Sequence, residues 1–392
     1  MNIYVEKLRD SKFLLFLIVF GILLLSTNLN TYSQVNKLEV GPFKLGGAVR
    51  TNLFYKDWNN SERLDLDTVR LNLEFEMQNI MGSAEYRYYY YQDLDRSTHM
   101  LHHGWLGYCF SDSDQIQLGV NQVPFGILPY ASHSWFFQLP YYVGLEDDYD
   151  LGAKYIHQDD NWNLQLAYYA EDEGNYNGRS NDSARYSYDL VNEGFSQNEE
   201  TNQFNLRYAY TWTHSENHTS ELGVSLQLGQ IHNRLTNDDG NQYAVALHLN
   251  ETWNRWNAML EIIRYDHSLR NPPGQRDDFV LMGAYDFPYQ VASSSNIYTV
   301  GIGYTIPIND SFIDSVTFYD DFSFMDKDTT DFLDSWQNVV GASVSAGNFF
   351  IYFDVASGRN HSWLGPDWTE AFSSGGCDKW HTRFNINIGF YI

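Results

Sequence analysis

The chain has 392 residues and a formal net charge of -26, from 24 lysine and arginine residues against 50 aspartate and glutamate residues. This acidity argues against nucleic acid as a partner, because phosphate binding needs a basic surface. Aromatic residues make up 17% of the chain. Aromatic residues scattered among polar ones are typical of a membrane β-barrel, whose strands alternate lipid-facing and water-facing side chains between two aromatic girdles.

Residues 1–33 predict a secretory signal peptide. Basic residues precede the apolar run Phe13 to Leu25, and Thr31 and Ser33 occupy suitable positions before a cleavage site at Gln34. The alternative is a membrane anchor, but the run is shorter than the ~20 residues of a spanning helix. Residues 34–392 are then the exported domain. They contain no other apolar run of helical length, so a membrane location requires a closed barrel.

The clearest strand signal runs from Val69 to Met77, where every odd position is apolar and every even position is polar. A period of two gives one wet face and one apolar face. A soluble β-sandwich could contain one such strand, but the pattern recurs along the whole chain. The predicted strands are 43–55, 69–77, 84–91, 103–110, 116–120, 152–157, 162–169, 204–212, 222–228, 243–249, 256–265, 297–306, 313–324, 336–346, 348–357 and 380–392.

Short and long connections alternate between these strands, as they do in outer-membrane barrels, which have short periplasmic turns and longer outer loops. We therefore predict an all-β fold, a transmembrane antiparallel β-barrel of 16 strands with both termini on the periplasmic side. The segment Phe279–Phe287 also looks like a strand. We place it above the membrane, and an 18-stranded barrel is the alternative if it spans.

The segment from Gln122 to Gly152 contains three prolines, a dense aromatic block and an acidic run. Proline removes ladder donors, so this segment cannot be a central strand. It is also too apolar for an ordinary solvated loop. We predict that loop 123–150 folds into the barrel and narrows the lumen.

Three segments resemble the phosphate-selective porin O and P family: Gly119–Gly126, Asp147–Tyr155 and the closing run Arg383–Asn387. The resemblance implies an outer-membrane channel, commonly trimeric, with its third outer loop folded into the pore. The resemblance implies that phosphate selectivity in that family depends on a ladder of arginine and lysine side chains. Because this chain has few basic residues, we do not predict phosphate selectivity for it. The final residue, Ile392, also departs from the usual terminal aromatic residue.

A porin works by sieving and by its electric field, so the candidate residues are polar side chains of the lumen and of the loop. Opposed rows of charge would order water and penalise apolar solutes; alternatively, the acids pair locally or lie on an outer rim. The aromatic block either packs the loop on the wall or stacks sugars. The predicted constriction comprises Trp135, Phe136, Phe137, Glu146, Asp147, Asp148 and Asp150, and the predicted lumen wall comprises Arg50, Arg70, Glu74, Glu76, Glu85, Arg87, Arg207, Glu261 and Arg383.

No cofactor or metal is expected. Calcium binding by the loop acids stays an alternative, because Ca²⁺ prefers carboxylate oxygens as ligands. Three histidines, His99, His102 and His103, are expected as a solvated cluster in an outer loop. Cys109 and Cys377 are expected as free thiols, because they fall at opposite ends of the barrel, beyond disulfide reach.

The leading functional prediction is a porin in the outer-membrane lipid, through which small hydrophilic solutes or ions diffuse passively with cation tolerance or weak selectivity. The alternatives are a sugar- or anion-preferring porin and an adhesin or structural barrel. An enzyme is not expected, because no ordered nucleophile, base and orienting group can be found in the sequence. A homotrimer is implied by the resemblance.

Overall fold

The computed structural model describes residues 37–308 and 312–392, nearly all in strands and their connections. The predicted signal peptide, residues 1–33, lies outside the described residues. Among the residues described, no helix has the length and apolar character needed to cross a membrane.

Sixteen antiparallel strands form one closed sheet, as predicted. The last strand pairs with the first, from Ala48 opposite Tyr391 to Lys56 opposite Arg383, which closes the barrel. The barrel strands are β2 (Phe43–Lys56), β3 (Ser61–Met77), β4 (Ile80–Tyr91), β5 (Arg96–Cys109), β6 (Asp114–Gln122), β7 (Tyr149–Gln158), β8 (Trp162–Asp172), β10 (Asn198–Ser215), β11 (His218–Asn233), β12 (Asp238–Trp253), β13 (Trp256–Ser268), β16 (Ser294–Pro307), β17 (Ser315–Lys327), β18 (Ser335–Ala346), β19 (Phe349–Arg359) and β20 (Trp380–Tyr391). A short strand, β1 (Leu38–Val40), pairs with β2.

A second, three-stranded sheet lies outside the barrel ladder. It consists of β9 (Asp189–Leu190), β14 (Phe279–Ala284) and β15 (Phe287–Ala292). The strand-like segment Phe279–Phe287 therefore lies within a long connection, as expected, where it belongs to a hairpin of β14 and β15, and the barrel has 16 strands rather than 18.

Strand β12 shows how the sequence produces an apolar exterior. Tyr243, Val245 and Leu247 point outward and are 39%, 40% and 53% exposed, whereas Ala244 and Ala246 are buried inside. This alternation lets lipid solvate one face while the other faces the lumen. Tryptophans follow the short-turn end of the exterior, among them Trp162, Trp212, Trp253 and Trp256.

The two ends of the barrel differ in their connections. At one end the strands are joined by tight turns, including 78–79, 216–217, 254–255 and 347–348. Gln78, Asn254 and Gly347 have positive φ in these turns, as two-residue hairpins require. We call this the short-turn end. At the opposite, long-loop end, the connections 123–148, 173–197, 269–293 and 360–379 pack on one another around tyrosines and phenylalanines.

We expect Leu247→Arg to lower the free energy of unfolding by about 2–4 kcal/mol, because it places a cation on the lipid face near the middle of β12. The measurement is equilibrium unfolding by guanidinium in lipid vesicles. Leu235→Arg is the matched control, because Leu235 is exposed in the connection 234–237. Equal losses in the two variants would contradict a lipid-facing exterior at Leu247.

Candidate functional site: the lumen and its internal loop

The connection 123–148, called the internal loop below, crosses the lumen to strands far from the ones it joins. It links β6 to β7, yet Arg207 Nε on β10 donates to the carbonyl of Gly126 at 2.7 Å. On the far wall, Gln337 Nε2 of β18 donates to the carbonyl of Phe137 at 2.7 Å. The loop therefore lies inside the barrel, as the fold prediction stated.

Asp321 on β17 is the strongest anchor of the internal loop. Its Oδ2 accepts from the backbone N–H groups of His133 at 2.7 Å and Ser134 at 2.8 Å. Its Oδ1 lies 2.8 Å from Nδ1 of the same histidine. Asp321 is 1% exposed, so these bonds act in a site largely shielded from water, where charge-assisted hydrogen bonds are strong.

The Pro-Phe-Gly element of the loop makes a close approach that only glycine permits. Gly126 has φ +61°, and a Cβ added there would lie 2.1 Å from Oε1 of Glu261 on β13. An L side chain would be strained by the backbone conformation and blocked by the carboxylate. The element therefore brings the loop backbone directly against the wall.

A cavity of about 680 Å³ remains between the internal loop and the wall formed by β2, β3, β4, β19 and β20. Its lining includes Gly347 and Tyr391 at the short-turn end, and Tyr186, Tyr285 and Trp363 from the long connections. The lining therefore extends from one end of the barrel toward the other.

Charged side chains line this cavity, with cations in excess. The cationic ones are Arg50, Lys56, Arg63, Arg70, Arg87 and Arg383, and the acidic ones are Asp65, Asp67, Asp93 and Asp147. Arg50 pairs with Asp67 at 2.8 Å, and Arg63 contacts Asp65 at 2.6 Å and Asp93 at 3.1 Å. Most of the acids are thus held by arginines on the same wall.

Arg383 carries a cation that no carboxylate neutralises directly. It forms no salt bridge within the described part of the chain, and its Nη2 donates to Oδ1 of Asn385 at 2.7 Å. Its guanidinium carbon lies 4.4 Å from the ring centroid of Phe54, 5.2 Å from that of Trp135 and 5.3 Å from that of Phe136. Ring faces attract the cation without cancelling its charge.

Asp147 is the loop acid that faces the cavity. Its carboxylate accepts hydrogen bonds from the hydroxyl groups of Tyr186 at 2.5 Å and Tyr149 at 3.1 Å. Burial raises the pKa of Asp147 to about 6, while the Tyr186 hydrogen bond and nearby Arg87 oppose the rise. This acid can therefore change charge near neutral pH.

The structure places the other predicted loop acids away from the cavity lining. Glu146 is buried behind the loop, where its Oε1 accepts from the backbone N–H of Ala131 at 2.7 Å, and burial raises the pKa of Glu146 well above its usual range. Asp148 and Asp150 are also buried, between the loop and the wall near β8. Of the four loop acids, Asp147 alone lines the cavity, so the structure does not show a row of four acids facing the wall arginines.

The predicted wall residues divide similarly. Arg50, Arg70, Arg87 and Arg383 line the cavity, whereas Arg207 holds the internal loop and Glu261 lies against it at Gly126. The remaining wall acids lie outside the lining. Glu85 is buried beside Arg87, Glu74 pairs with Lys37 at 2.5 Å, and Glu76 is exposed near the short-turn end.

The aromatic block packs the internal loop and also lines the cavity, whereas sugar stacking by these rings stays a prediction. Trp135, Phe136 and Phe137 line the cavity together with Tyr141 and Tyr142. They also pack the loop, since Phe137 stacks on Tyr141 with centroids 4.1 Å apart. The block therefore contributes an aromatic surface to the lumen.

The expected solvated histidine cluster is wrong. His99, His102 and His103 lie within strand β5, which begins at Arg96, rather than in an outer loop. His102 is 4% exposed, with its ring 4.1 Å from that of Tyr186. The alternation of the strand turns this ring inward, where the long connections cover it.

Both cysteines are free in the structure. Cys109 ends β5 at the short-turn end, whereas Cys377 lies in the connection 360–379 at the opposite end.

Sequence reasoning missed Arg63, Asp65 and Asp67 because the predicted strand began at Val69, whereas β3 begins at Ser61 and contains a β-bulge that interrupts its alternation. Arg50 pairs with Thr68 and Thr51 pairs with Leu66, so Asp67 is an extra residue in β3. The bulge reverses which parity faces inward. Arg63, Asp65 and Asp67 therefore line the lumen although they occupy odd positions, whereas farther along β3 the even positions do so. The polar residues between Arg63 and Asp67 were the available signal.

No family model matches the sequence, and no curated protein is similar to it at a significant level. The resemblance to phosphate-selective porins therefore stays a prediction. The fold is similar to that of the outer-membrane channel DcaP of Acinetobacter baumannii, with a TM-score of 0.56, 10% identity and coverage of 89% of this chain and 97% of that chain.

Two further solved structures share the fold. One is OmpF of Salmonella typhi, solved as a complex with daunomycin, with a TM-score of 0.56, 10% identity and coverage of 91% of this chain and 100% of that chain. The other is an anion-selective porin from Comamonas acidovorans, with a TM-score of 0.53, 13% identity and coverage of 89% and 99%. At such identities the similarity establishes an outer-membrane barrel fold only.

Asp321→Ala is expected to loosen the internal loop, because it removes three hydrogen bonds to a buried carboxylate. Hydrogen bonds to charged groups contribute about 1.5–3 kcal/mol each, so we expect the unfolding free energy to fall by about 2–4 kcal/mol after partial relaxation. Open-channel current noise should also increase.

The control is Asp320→Ala, which changes the neighbouring residue on the outer face, where Asp320 accepts a hydrogen bond from Asn338. Noise in Asp321→Ala equal to that in the control would show that the loop does not depend on this anchor.

Proposed function

We propose that the protein is an outer-membrane porin through which small hydrophilic solutes diffuse passively. The observation that carries this proposal is the cavity lined by charged and tyrosine side chains, whose lining extends from the short turns to the long connections. Polar groups along such a path replace part of the hydration of a passing solute. The internal loop, whose anchors cross the lumen, would set the narrowest section.

The same proposal includes export and location. A signal peptide at residues 1–33 would direct the chain out of the cytoplasm, and the apolar outer face of the barrel would then meet outer-membrane lipid. Association into a homotrimer is part of the expectation from the family resemblance.

Within this function, the cavity favours the anion-preferring alternative over cation tolerance. Six cationic and four acidic side chains line it, although the whole chain carries a net charge of -26. Ion preference follows the local field of the pore rather than the total charge. Arg383, with its cation set against aromatic rings, would present an anion or a carboxylate with both charge and a stacking surface.

The first experiment is single-channel recording of the folded protein in a planar bilayer, with reversal potentials in a KCl gradient. We expect stepwise openings and a potential whose sign shows chloride preference. The variant Arg383→Gln should reduce that preference by up to about fivefold, since one charge about 4 Å from an ion is worth ~1 kcal/mol in water.

Arg234→Gln is the matched control, because this arginine lies in the connection 234–237 and is 59% exposed at its side chain. Cation preference in the unaltered protein would refute the anion proposal while leaving a porin. A folded barrel without conductance would instead favour the adhesin or structural alternative.

Acidification should increase the anion preference. The pKa of Asp147 is about 6, so its carboxylate is largely ionised at pH 7.5 and largely protonated at pH 5. Protonation removes one negative charge from the lining and leaves the cations in greater excess. The chloride-to-potassium permeability ratio should therefore rise severalfold as the pH falls through this range.

Asp147→Asn should already show the higher ratio at pH 7.5, and its remaining pH dependence should be smaller. Asp160→Asn, in an exposed short turn, should behave like the unaltered protein. An unchanged pH profile in Asp147→Asn would mean that this carboxyl does not contribute to the field of the pore.

A further inference from the structure

Behind the internal loop, six carboxyl groups gather where the loop meets β7, β8, β9 and β10. Two sets of three have carboxylate oxygens within 4.8 Å of one another, one set being Asp148, Asp150 and Asp189. The second set joins Asp189 to Asp172 and Glu173. Glu200 on β10 is the sixth member, because its Oε1 accepts from the backbone N–H of Leu190 at 2.9 Å. We call these six groups the carboxylate cluster.

Most of the cluster is withdrawn from water. Asp148, Asp150, Glu173 and Asp189 are 7%, 4%, 5% and 2% exposed. A buried carboxylate is costly unless a cation or several hydrogen-bond donors compensate it. The cluster therefore needs more positive charge, or more donors, than an exposed group of acids would.

One cation inside the protein partly meets that need. Arg185 is 1% exposed and pairs with Asp172 at 2.6 Å, Asp182 at 2.8 Å and Asp189 at 3.0 Å. Nη1 of the guanidinium thus contacts two acids on one side of the cluster, Asp172 and Asp189, while Nη2 contacts Asp182 beside it.

The other side of the carboxylate cluster has no cationic side chain paired with it within the described residues. Asp148, Asp150, Glu173 and Glu200 form no salt bridge there. Asp150 accepts from Gln203 Nε2 at 2.9 Å, and Asp148 from the backbone N–H of Tyr149 at 2.9 Å. Neutral donors of this kind do not balance the charge of several adjacent carboxylates.

A second observation points to a ligand. Oε1 of Glu173 accepts from the backbone N–H groups of Tyr186 at 3.1 Å and Ser187 at 2.6 Å. Its Oε2 is buried and has no hydrogen-bond donor. A carboxylate oxygen of Glu173 lies within 4.8 Å of carboxylate oxygens of Asp172 and Asp189. A buried carboxylate oxygen without a hydrogen-bond donor requires an explanation, and a bound cation is one.

We propose that the carboxylate cluster binds one divalent cation of the hard, oxygen-preferring class, Ca²⁺ above all, between Asp148, Asp150 and Asp189, with Glu173 beside it. Calcium takes carboxylate oxygens at about 2.3–2.6 Å, so oxygens on opposite sides of the ion lie about 4.8 Å apart. The spacing of the acids fits this reach without a dedicated calcium loop.

The site differs from the acidic run that the sequence suggested. Of that run it uses Asp148 and Asp150, whereas Glu146 lies elsewhere and Asp147 faces the cavity. The remaining ligands come from the segment between β8 and β10. A bound ion would therefore fasten the internal loop to the connection 173–197, directly behind the acid that lines the lumen.

The test uses Tb³⁺ as a luminescent substitute for Ca²⁺, on protein folded in detergent from inclusion bodies and therefore free of lipopolysaccharide. Tyr149 follows Asp148 in the chain and Tyr186 donates to Glu173, so both can sensitise Tb³⁺ emission at the site. We expect saturable emission with one ion per chain, displaced by Ca²⁺ at lower concentration than by Mg²⁺. No sensitised emission, or equal displacement by both ions, would overturn the proposal.

Asp148→Asn should weaken binding at least tenfold, whereas Asp160→Asn, in an exposed short turn, should bind like the unaltered chain. Equal affinity in the two variants would overturn the site. Heat-dependent gel migration verifies that each barrel is folded.

A second measurement needs no variant. Ca²⁺ should raise the temperature at which the unaltered protein unfolds, relative to the protein in a chelator, and Mg²⁺ at the same concentration should raise it less. No shift, or an equal shift with both ions, would overturn the proposal. Neither measurement depends on whether the barrel conducts.

Discussion

The structure depends on the rule that no backbone hydrogen-bonding group can remain unpaired in hydrocarbon. A sheet satisfies this rule only when it has no edge. Here the pairing of β2 with β20, from Ala48 opposite Tyr391 onward, removes the edge. Closure then dictates the rest, because every second side chain must face a confined interior. Sixteen strands enclose more space than their own side chains fill, so a chain segment can enter.

The internal loop occupies part of that space and excludes water from it, which lowers the local dielectric constant. A wide barrel filled with water would leave its inward acids and arginines solvated. With the loop inside, Asp321 is 1% exposed and Arg207 is 2% exposed, and each becomes a strong hydrogen-bonding anchor. The loop thus separates a packed part of the lumen, where charged side chains anchor the loop, from an open part, where cations and tyrosines line the cavity.

The period of two made the strands, their number and their inward faces predictable, and the prolines with the aromatic block made the internal loop predictable. The sequence could not show where the alternation of a strand is interrupted, or which residues distant in the chain come into contact. The extra residue Asp67 reverses parity within one strand, which no alternation rule anticipates. His102 looked like a loop residue because the polar residues around it hide the start of β5. Which acids face the lumen depends on contacts with residues more than 30 positions away, such as that between Asp147 and Tyr186.

Consecutive acids Asp147 and Asp148 show how one backbone conformation separates two roles. Asp147 has φ +52°, a left-handed conformation that aspartate tolerates better than most side chains. This turn sends Asp147 toward the hydroxyls of Tyr149 and Tyr186 at the cavity, and Asp148 back toward Asp150 and Asp189. Burial raises the pKa of both carboxyls, to about 6 for Asp147 and well above the usual range for Asp148.

The difference between these two acids follows from their neighbours. Two hydroxyl groups and nearby Arg87 stabilise the charge of Asp147, whereas Glu173 and Glu200 repel that of Asp148. An acid in the first environment can change its charge as solutes and protons reach it from the cavity. An acid in the second holds a proton or shares a cation, and in either case it ties the loop to its neighbours. The field of the lumen and the rigidity of the loop are therefore set by adjacent residues through one left-handed turn.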